Sequence, residues 1–171
     1  ITSGFFVDTD GAALDVSKSK FNLLKEVLEE IGDHQVIIWC QFHYEIRNIK
    51  AMIPGKCCFL YGEISQSYKE ESIKQFKNGE KQYLVAHPKS GGVGLTFTNC
   101  SYNVYFSLDY SYETLKQSED RTHRHGQVNK VSYYFLMAAN SIDQTIYKAL
   151  TKKEDISTAM LERVNQETQL H

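Results

Sequence analysis

Gln35-Val36-Ile37-Ile38-Trp39-Cys40 is an almost wholly apolar run with no polar alternation. A strand with one wet face alternates, so a run apolar position after position is expected of a central parallel strand covered on both faces. Upstream of it, Phe21, Leu24, Leu28 and Ile31 fall on one helical stripe, with Ser17 placed as N-cap and Gly32 as the stop. Downstream, Ile46, Ile49 and Ile53 space a second helix ended by Pro54-Gly55, and Cys57 to Tyr61 reads as the next strand. Tyr68 to Lys77 reads as a helix closed by Asn78-Gly79, with Ile73 and Phe76 inward. Tyr83 to Ala86 and Asn103 to Phe106 are further strands, Tyr112 to about Arg121 is helical, and Val131 to Met137 is a fifth strand. Ser141 and Gln144 have capping-box spacing ahead of Ile142, Ile146 and Leu150, and Ile156, Met160 and Val164 stripe a last helix.

Strands and helices that alternate over short connections imply right-handed crossovers and a mostly parallel sheet, the α/β class. Such sheets place ligands beyond the carboxyl ends of their strands, so the loops after Cys40, Tyr61, Ala86 and Phe106 are expected to carry function. Residues 1–17 are expected to be an irregular opening segment, 18–151 the domain, and 152–171 a C-terminal helix and tail.

At 171 residues with 42% hydrophobic and 23% charged, the chain is sized for one domain with an ordinary core. That composition excludes a disordered tail, a collagen-like fibre and a disulfide miniprotein. Nineteen Lys and Arg against twenty-one Asp and Glu give a net charge of −2, so any nucleic-acid surface has to be local. No apolar run reaches the 18 or more residues of a membrane span and no signal peptide opens the chain, so an intracellular protein without a membrane partner is expected, nuclear if eukaryotic. Ile1 in place of methionine leads us to expect a fragment of a longer protein. Cys40, Cys57, Cys58 and Cys100 show no metal-binding spacing and read as reduced core cysteines.

Two strings carry chemistry. The first is Ala86-His87-Pro88-Lys89-Ser90-Gly91-Gly92-Val93-Gly94-Leu95-Thr96, directly after a strand. Its glycines let the backbone approach a phosphate, with Lys89 adding charge and Ser90 a hydroxyl donor; the alternative is a tight structural turn. No G-x-x-x-x-G-K-[ST] occurs, so this is not a Walker A loop. The second is Gln117-Ser118-Glu119-Asp120-Arg121-Thr122-His123-Arg124-His125-Gly126-Gln127. Four-residue spacing puts Gln117 and Arg121 on one helical face, and Arg124 follows one turn later, near where Gly126 is expected to end the helix. Two guanidiniums side by side repel unless an anion lies between or opposite them, and their planar forks suit phosphate oxygens. The alternative is a solvated helix end paired with Glu119 and Asp120. His123 and His125 lack the further ligands of a metal site, and none is expected.

In order on an α/β sheet, these strings resemble motifs V and VI of the Swi/Snf-like ATPases of helicase superfamily two. Lys89 through Leu95 matches K-x-G-G-x-G-L, and Gln117, Asp120, Arg121, His123, Arg124, Gly126 and Gln127 match Q-x-x-D-R-x-H-R-x-G-Q. Val36 to Phe42 resembles motif IV, Leu60-Tyr61-Gly62 with Ile73 and Phe76 resembles Y-x-G and its downstream I-x-x-F helix, and Ser141 to Ile146 resembles T-I-D-E-x-I. Ile1-Thr2-Ser3-Gly4-Phe5 is similar to the family's start of its second lobe.

The resemblance implies a RecA-like three-layer sandwich: the second motor lobe of an ATP-dependent double-stranded DNA translocase. Such a lobe is expected to be inactive alone, because ATP with Mg2+ is held mainly by an N-terminal RecA-like lobe bearing the Walker motifs. Arg121 and Arg124 would be arginine fingers, Gln117 would order that site, and Gly92 or Gly94 would admit the nucleotide. Gln41, Lys89, Ser90 and Gly91 would grip DNA phosphates, without reading sequence. The chain departs from the family at Asp109-Tyr110-Ser111-Tyr112, where W-N-P follows the strand-end aspartate, and at His125, where an apolar residue is usual. Its compactness resembles bacterial or phage members. The rival reading is a non-catalytic RecA-like module that binds DNA or protein. Asp8-Thr9-Asp10-Gly11 resembles part of a calcium loop and reads as a turn, since Phe6 and Ser17 stand at the first and twelfth ligand positions.

Overall fold

The chain runs β1 (Phe5–Val7), β2 (Ala13–Asp15), α1 (Ser19–Ile31), β3 (Val36–Trp39), α2 (His43–Met52), β4 (Cys57–Leu60), α3 (Gln66–Lys77), β5 (Tyr83–Ala86), β6 (Tyr102–Tyr105), α4 (Tyr112–Glu119), β7 (Ser132–Phe135) and α5 (Ile142–Lys152). The structure is a computed structural model that describes residues 5–7, 13–15, 19–90, 95–138 and 142–152. Five strands lie parallel in the order β4-β5-β3-β6-β7, so the apolar run Val36 to Trp39 is the central strand. In register, Trp39 sits between Ala86 of β5 and Tyr105 of β6.

Period-two alternation divides β3 between two cores. Val36, Ile38 and Cys40 face Leu24, Val27, Leu28 and Ile31 of α1 and Ile46 and Ile49 of α2. Ile37 and Trp39 face the other way, toward Phe76 of α3, Leu115 of α4 and Ile146 and Leu150 of α5. Every residue from Val36 to Cys40 is completely buried. Each such side chain contributes about 1.5–3 kcal/mol of burial, so a polar residue is tolerated in this run on neither face. The result is the expected three-layer α/β sandwich. Lys20 of α1 and Asp143 of α5 close it with a buried ion pair of 2.9 Å between segments 123 residues apart.

Three expectations change. Residues 1–17 are not wholly irregular, because β1 and β2 pair antiparallel with Phe5 opposite Asp15. Helix α3 starts at Gln66, ahead of Tyr68, because Ser65 caps it, its Oγ accepting the Tyr68 N–H at 3.3 Å. Helix α4 ends at Glu119 and does not continue to Gly126. Arg121 N–H bonds the Ser118 carbonyl and Thr122 N–H the Glu119 carbonyl, while the Arg121 carbonyl is taken by Phe97 N–H at 2.7 Å. The change from i→i−4 to i→i−3 bonds tightens the last turn, and the chain leaves the helix there. The Ser17 cap, the calcium-like loop, the Ser141 capping position, the helix over 156–164 and Gly91, Gly92 and Gly94 lie outside the described residues.

All four cysteines are free. Burial pushes the thiols of Cys57, Cys58 and Cys100 up to about 12, which makes them inert apolar groups. No helix among the described residues is long and apolar enough to cross a membrane.

Candidate functional site

After β3 the chain turns into α2 on one face and travels to β4; after β6 it turns into α4 on the other face and travels to β7. Connections that diverge from neighbouring strands open a crevice at their carboxyl ends, the switch point at which parallel sheets bind ligands. The loops after β3, β5 and β6 meet there.

Arg121 is built in from below. Trp39 Nε1 donates to Asn103 Oδ1 at 3.1 Å, Asn103 Nδ2 donates to Thr122 Oγ1 at 3.0 Å, and Thr122 Oγ1 donates to the Glu119 carbonyl at 3.1 Å. Tyr105 and Ser118 hydroxyls, 2.8 Å apart, fix the preceding turn to β6. Beyond it, Gln127 Nε2 donates to the Cys100 carbonyl at 3.0 Å, and Gly126 turns the chain at a φ of 100° that only glycine adopts without strain. The loop is thereby locked at both ends.

The Arg121 guanidinium lies over the Trp39 ring, 5.9 Å from its centroid, and only 7% of the residue is exposed. Nη2 donates to the Pro88 carbonyl at 3.4 Å, whereas Nε and Nη1 are buried without a partner among the described residues. Glu119 and Asp120 do not neutralise it; both pair with Lys116 at 3.5 Å. Burial, and after it the neighbouring Arg124, lowers the Arg121 pKa, with Tyr105 opposing, yet a guanidinium remains a cation. Arg124 is exposed, with Nη1 donating to Thr96 Oγ1 at 3.1 Å. A buried cation with two idle donors beside a second guanidinium is costly until an anion completes it. This donor set fits a phosphate.

Across the crevice the cations are engaged. Lys89, with 63% of its side chain exposed, places Nζ 2.8 Å from Oδ2 of the largely buried Asp109, so the loops after β5 and β6 join across the end of β3. Ser90 N–H bonds the His87 carbonyl in a turn, and Lys89 N–H donates to His87 Nδ1 at 3.2 Å. Burial, and after it Lys89, lowers the His87 pKa, which suits the neutral ring that this acceptor role needs. The Gln41 side-chain Nε2 is buried without a partner among the described residues. Gln41 N–H is held by Ser107 Oγ at 2.8 Å and by Glu45 Oε2 at 3.2 Å.

The structure therefore brings Arg121, Lys89, Ser90 and Gln41 to one sheet edge. Gln117 and Arg121 do not share an environment, because Gln117 is exposed on α4 and Arg121 is buried past the helix end. Sequence reasoning missed Glu45, Ser107, Asn103 and the Lys89 partner role of Asp109. Glu45 left one usable trace, its position three residues after Phe42, where an acid can reach back to cap a helix start. Asn103 stands out as a polar residue inside a strand, the kind of position that burial makes informative.

Fold and site together define a RecA-like α/β lobe whose switch-point edge carries a buried arginine and a flanking lysine. The family model of the helicase conserved C-terminal domain matches residues 19–126, and the chain belongs to that family. Among relatives, the human DNA annealing helicase and endonuclease ZRANB3 is 30% identical over 115 residues, which is 66% of this chain and 11% of that protein. The transcription regulatory protein SNF2 of Saccharomyces cerevisiae is 28% identical over 151 residues, 84% of this chain and 9% of that protein. An ATP-dependent helicase of Mycoplasma pneumoniae is 28% identical over 147 residues, 82% of this chain and 14% of that protein. The chain thus spans about a tenth of these relatives' length. The crystal structure of the C-terminal part of the Fun30 ATPase domain has a TM-score of 0.66 at 20% identity, covering 75% of this chain and 44% of that one, a likeness of fold.

Proposed function

We propose that this chain is the second motor lobe of an ATP-dependent double-stranded DNA translocase or remodelling protein of the Swi/Snf-like type. The observation that carries the proposal is Arg121, a buried cation at the switch-point edge whose Nε and Nη1 have no partner among the described residues. ATP with Mg2+ supplies the phosphoanhydride whose hydrolysis drives movement, and an N-terminal RecA-like lobe with Walker motifs holds most of it. This chain's part is to orient Arg121 and Arg124 as arginine fingers toward the β- and γ-phosphates. Gln117 helps order that site from its exposed position on α4, and Gly92 and Gly94 give the nucleotide room. Gln41, Lys89, Ser90 and Gly91 track the DNA backbone without reading bases, which makes binding salt-dependent and sequence-independent. Relatives named as a DNA annealing helicase, an ATP-dependent helicase and a chromatin-remodeling ATPase support ATP and DNA as the partners. The short connections between strands and the Mycoplasma relative support a compact bacterial or phage type.

The test is Arg121→Lys in the protein carrying both lobes. Lysine keeps the charge over Trp39 and removes the fork. DNA-stimulated hydrolysis is expected to fall at least about 10²-fold, against about 10³–10⁵ for outright loss of a finger, with ATP affinity and melting temperature little changed. Wild-type turnover would remove Arg121 from the nucleotide and leave the lobe a binding module.

A further inference from the structure

Glu45 is completely buried at the crevice between β3 and β6, and neither half of the function proposed above uses it. Its Oε2 accepts three hydrogen bonds: from Gln41 N–H at 3.2 Å, from Phe42 N–H at 3.2 Å and from Ser107 Oγ at 2.6 Å. The first two fix the loop after β3, and the third ties that loop to the loop after β6. Ser107 stands two residues ahead of Asp109, the partner of Lys89. One carboxyl oxygen therefore clasps the two loops that diverge at the switch point.

The other oxygen, Oε1, is buried with no partner among the described residues, as is the side-chain Nε2 of Gln41. A carboxyl serving packing alone is expected to satisfy both oxygens or to be replaced by an apolar residue, because an idle buried oxygen is costly. We propose that Glu45 is the positioning residue of the DNA-facing crevice: it holds the loops after β3 and β6 in one fixed relation, so that Gln41 is presented to the duplex backbone in one orientation. The proposal rests on the DNA-binding reading given above.

The charged and titratable groups around Glu45 are few. From α1, Lys20 favours the carboxylate, but its ammonium is already 2.9 Å from Asp143 of α5; from the end of β3, the Cys40 thiol is pushed up by burial and by Glu45 itself. Burial dominates and outweighs the hydrogen bonds from Ser107 and the backbone, which pushes the Glu45 carboxyl up to about 7. Above that pH Oε2 is a full acceptor for three donors. Below it one oxygen becomes a donor and the clasp weakens.

The experiment compares wild type with Glu45→Gln in the protein carrying both lobes, measuring affinity for a fluorescent duplex from about pH 6 to about pH 8.5. Glutamine keeps the shape and cannot ionise. The ratio of the two dissociation constants cancels every pH effect that both proteins share. We expect the variant to bind about fivefold more weakly near pH 8.5, the worth of about one hydrogen bond, and equally near pH 6. A ratio that does not change with pH overturns the proposal, whatever its size. Ser107→Ala, which removes one arm of the clasp, shows the same trend at smaller amplitude and serves if Glu45→Gln does not fold. Hydrogen exchange across residues 40–45, relative to intrinsic rates, separates the two proposals. If wild type binds no duplex at any pH, the DNA reading fails; protection then still supports the clasp if it exceeds the variant's only above about pH 7, and equal protection throughout refutes it.

Discussion

The Arg121 side chain and the loop carrying Lys89 meet at the same sheet edge, and they are prepared differently. Arg121 is walled in by Trp39, Asn103 and Thr122 and keeps two guanidinium nitrogens without partners among the described residues. Lys89 reaches into solvent with its ammonium already paired to Asp109 at 2.8 Å. One region holds a donor set rigidly for an anion; the other holds a cation in an internal pair that a phosphate has to displace. The first arrangement favours preorganised stabilisation of developing charge, for which reorganisation is the usual cost. The second favours exchange, which suits a backbone gripped and released repeatedly. Asp109 is largely buried, so displacing Lys89 has a cost that the phosphate contact has to exceed.

The largest effect that would break this comparison is expected at Arg124, the exposed neighbour. Arg124→Ala in the two-lobe protein should reduce DNA-stimulated hydrolysis by about 10³–10⁵, with ATP affinity changed less than about tenfold. Steady-state rates with a separate nucleotide-binding assay check it, and an unchanged rate would leave Arg121 without its partner finger. The next effect sharpens the rigid side. Asn103→Ala strips partners from Trp39 Nε1 and Thr122 Oγ1, both buried, and should cost on the order of 1–3 kcal/mol in stability. It should lower hydrolysis more than duplex affinity, and the reverse order would mean that the network serves the DNA side. The smallest effects test the exchange. Lys89→Ala should make the dependence of log affinity on log salt shallower by about 1. Asp109→Asn should free Lys89 and tighten duplex binding about two- to fivefold, read by anisotropy, whereas weaker binding would make Asp109 a scaffold and not a competitor.

The layers of the fold were legible because they follow from periodicity: Val36 to Trp39 is apolar on both faces, and both faces are covered. The site was legible as residue types at a sheet edge, Arg121, Lys89, Ser90 and Gln41. Its wiring was not. Helical spacing puts Gln117 and Arg121 on one face, but after Glu119 the ladder tightens to i→i−3 bonds, Arg121 N–H to the Ser118 carbonyl, and Arg121 turns off that face. The Lys89–Asp109 pair and the Glu45–Ser107 bond join residues 20 and 62 positions apart, and only the strand order β5-β3-β6 brings them together. Local pattern carries no information about which strands become neighbours, so contacts made across β3 were beyond it.

The most direct measurement of the central claim is the rate of ATP hydrolysis, with and without duplex DNA, by this chain alone and by the protein carrying both lobes. The account predicts a silent chain alone and a DNA-stimulated two-lobe protein, since Arg121 and Arg124 complete a site that the other lobe begins. Hydrolysis by the chain alone, or a two-lobe protein silent in the presence of DNA, would contradict it.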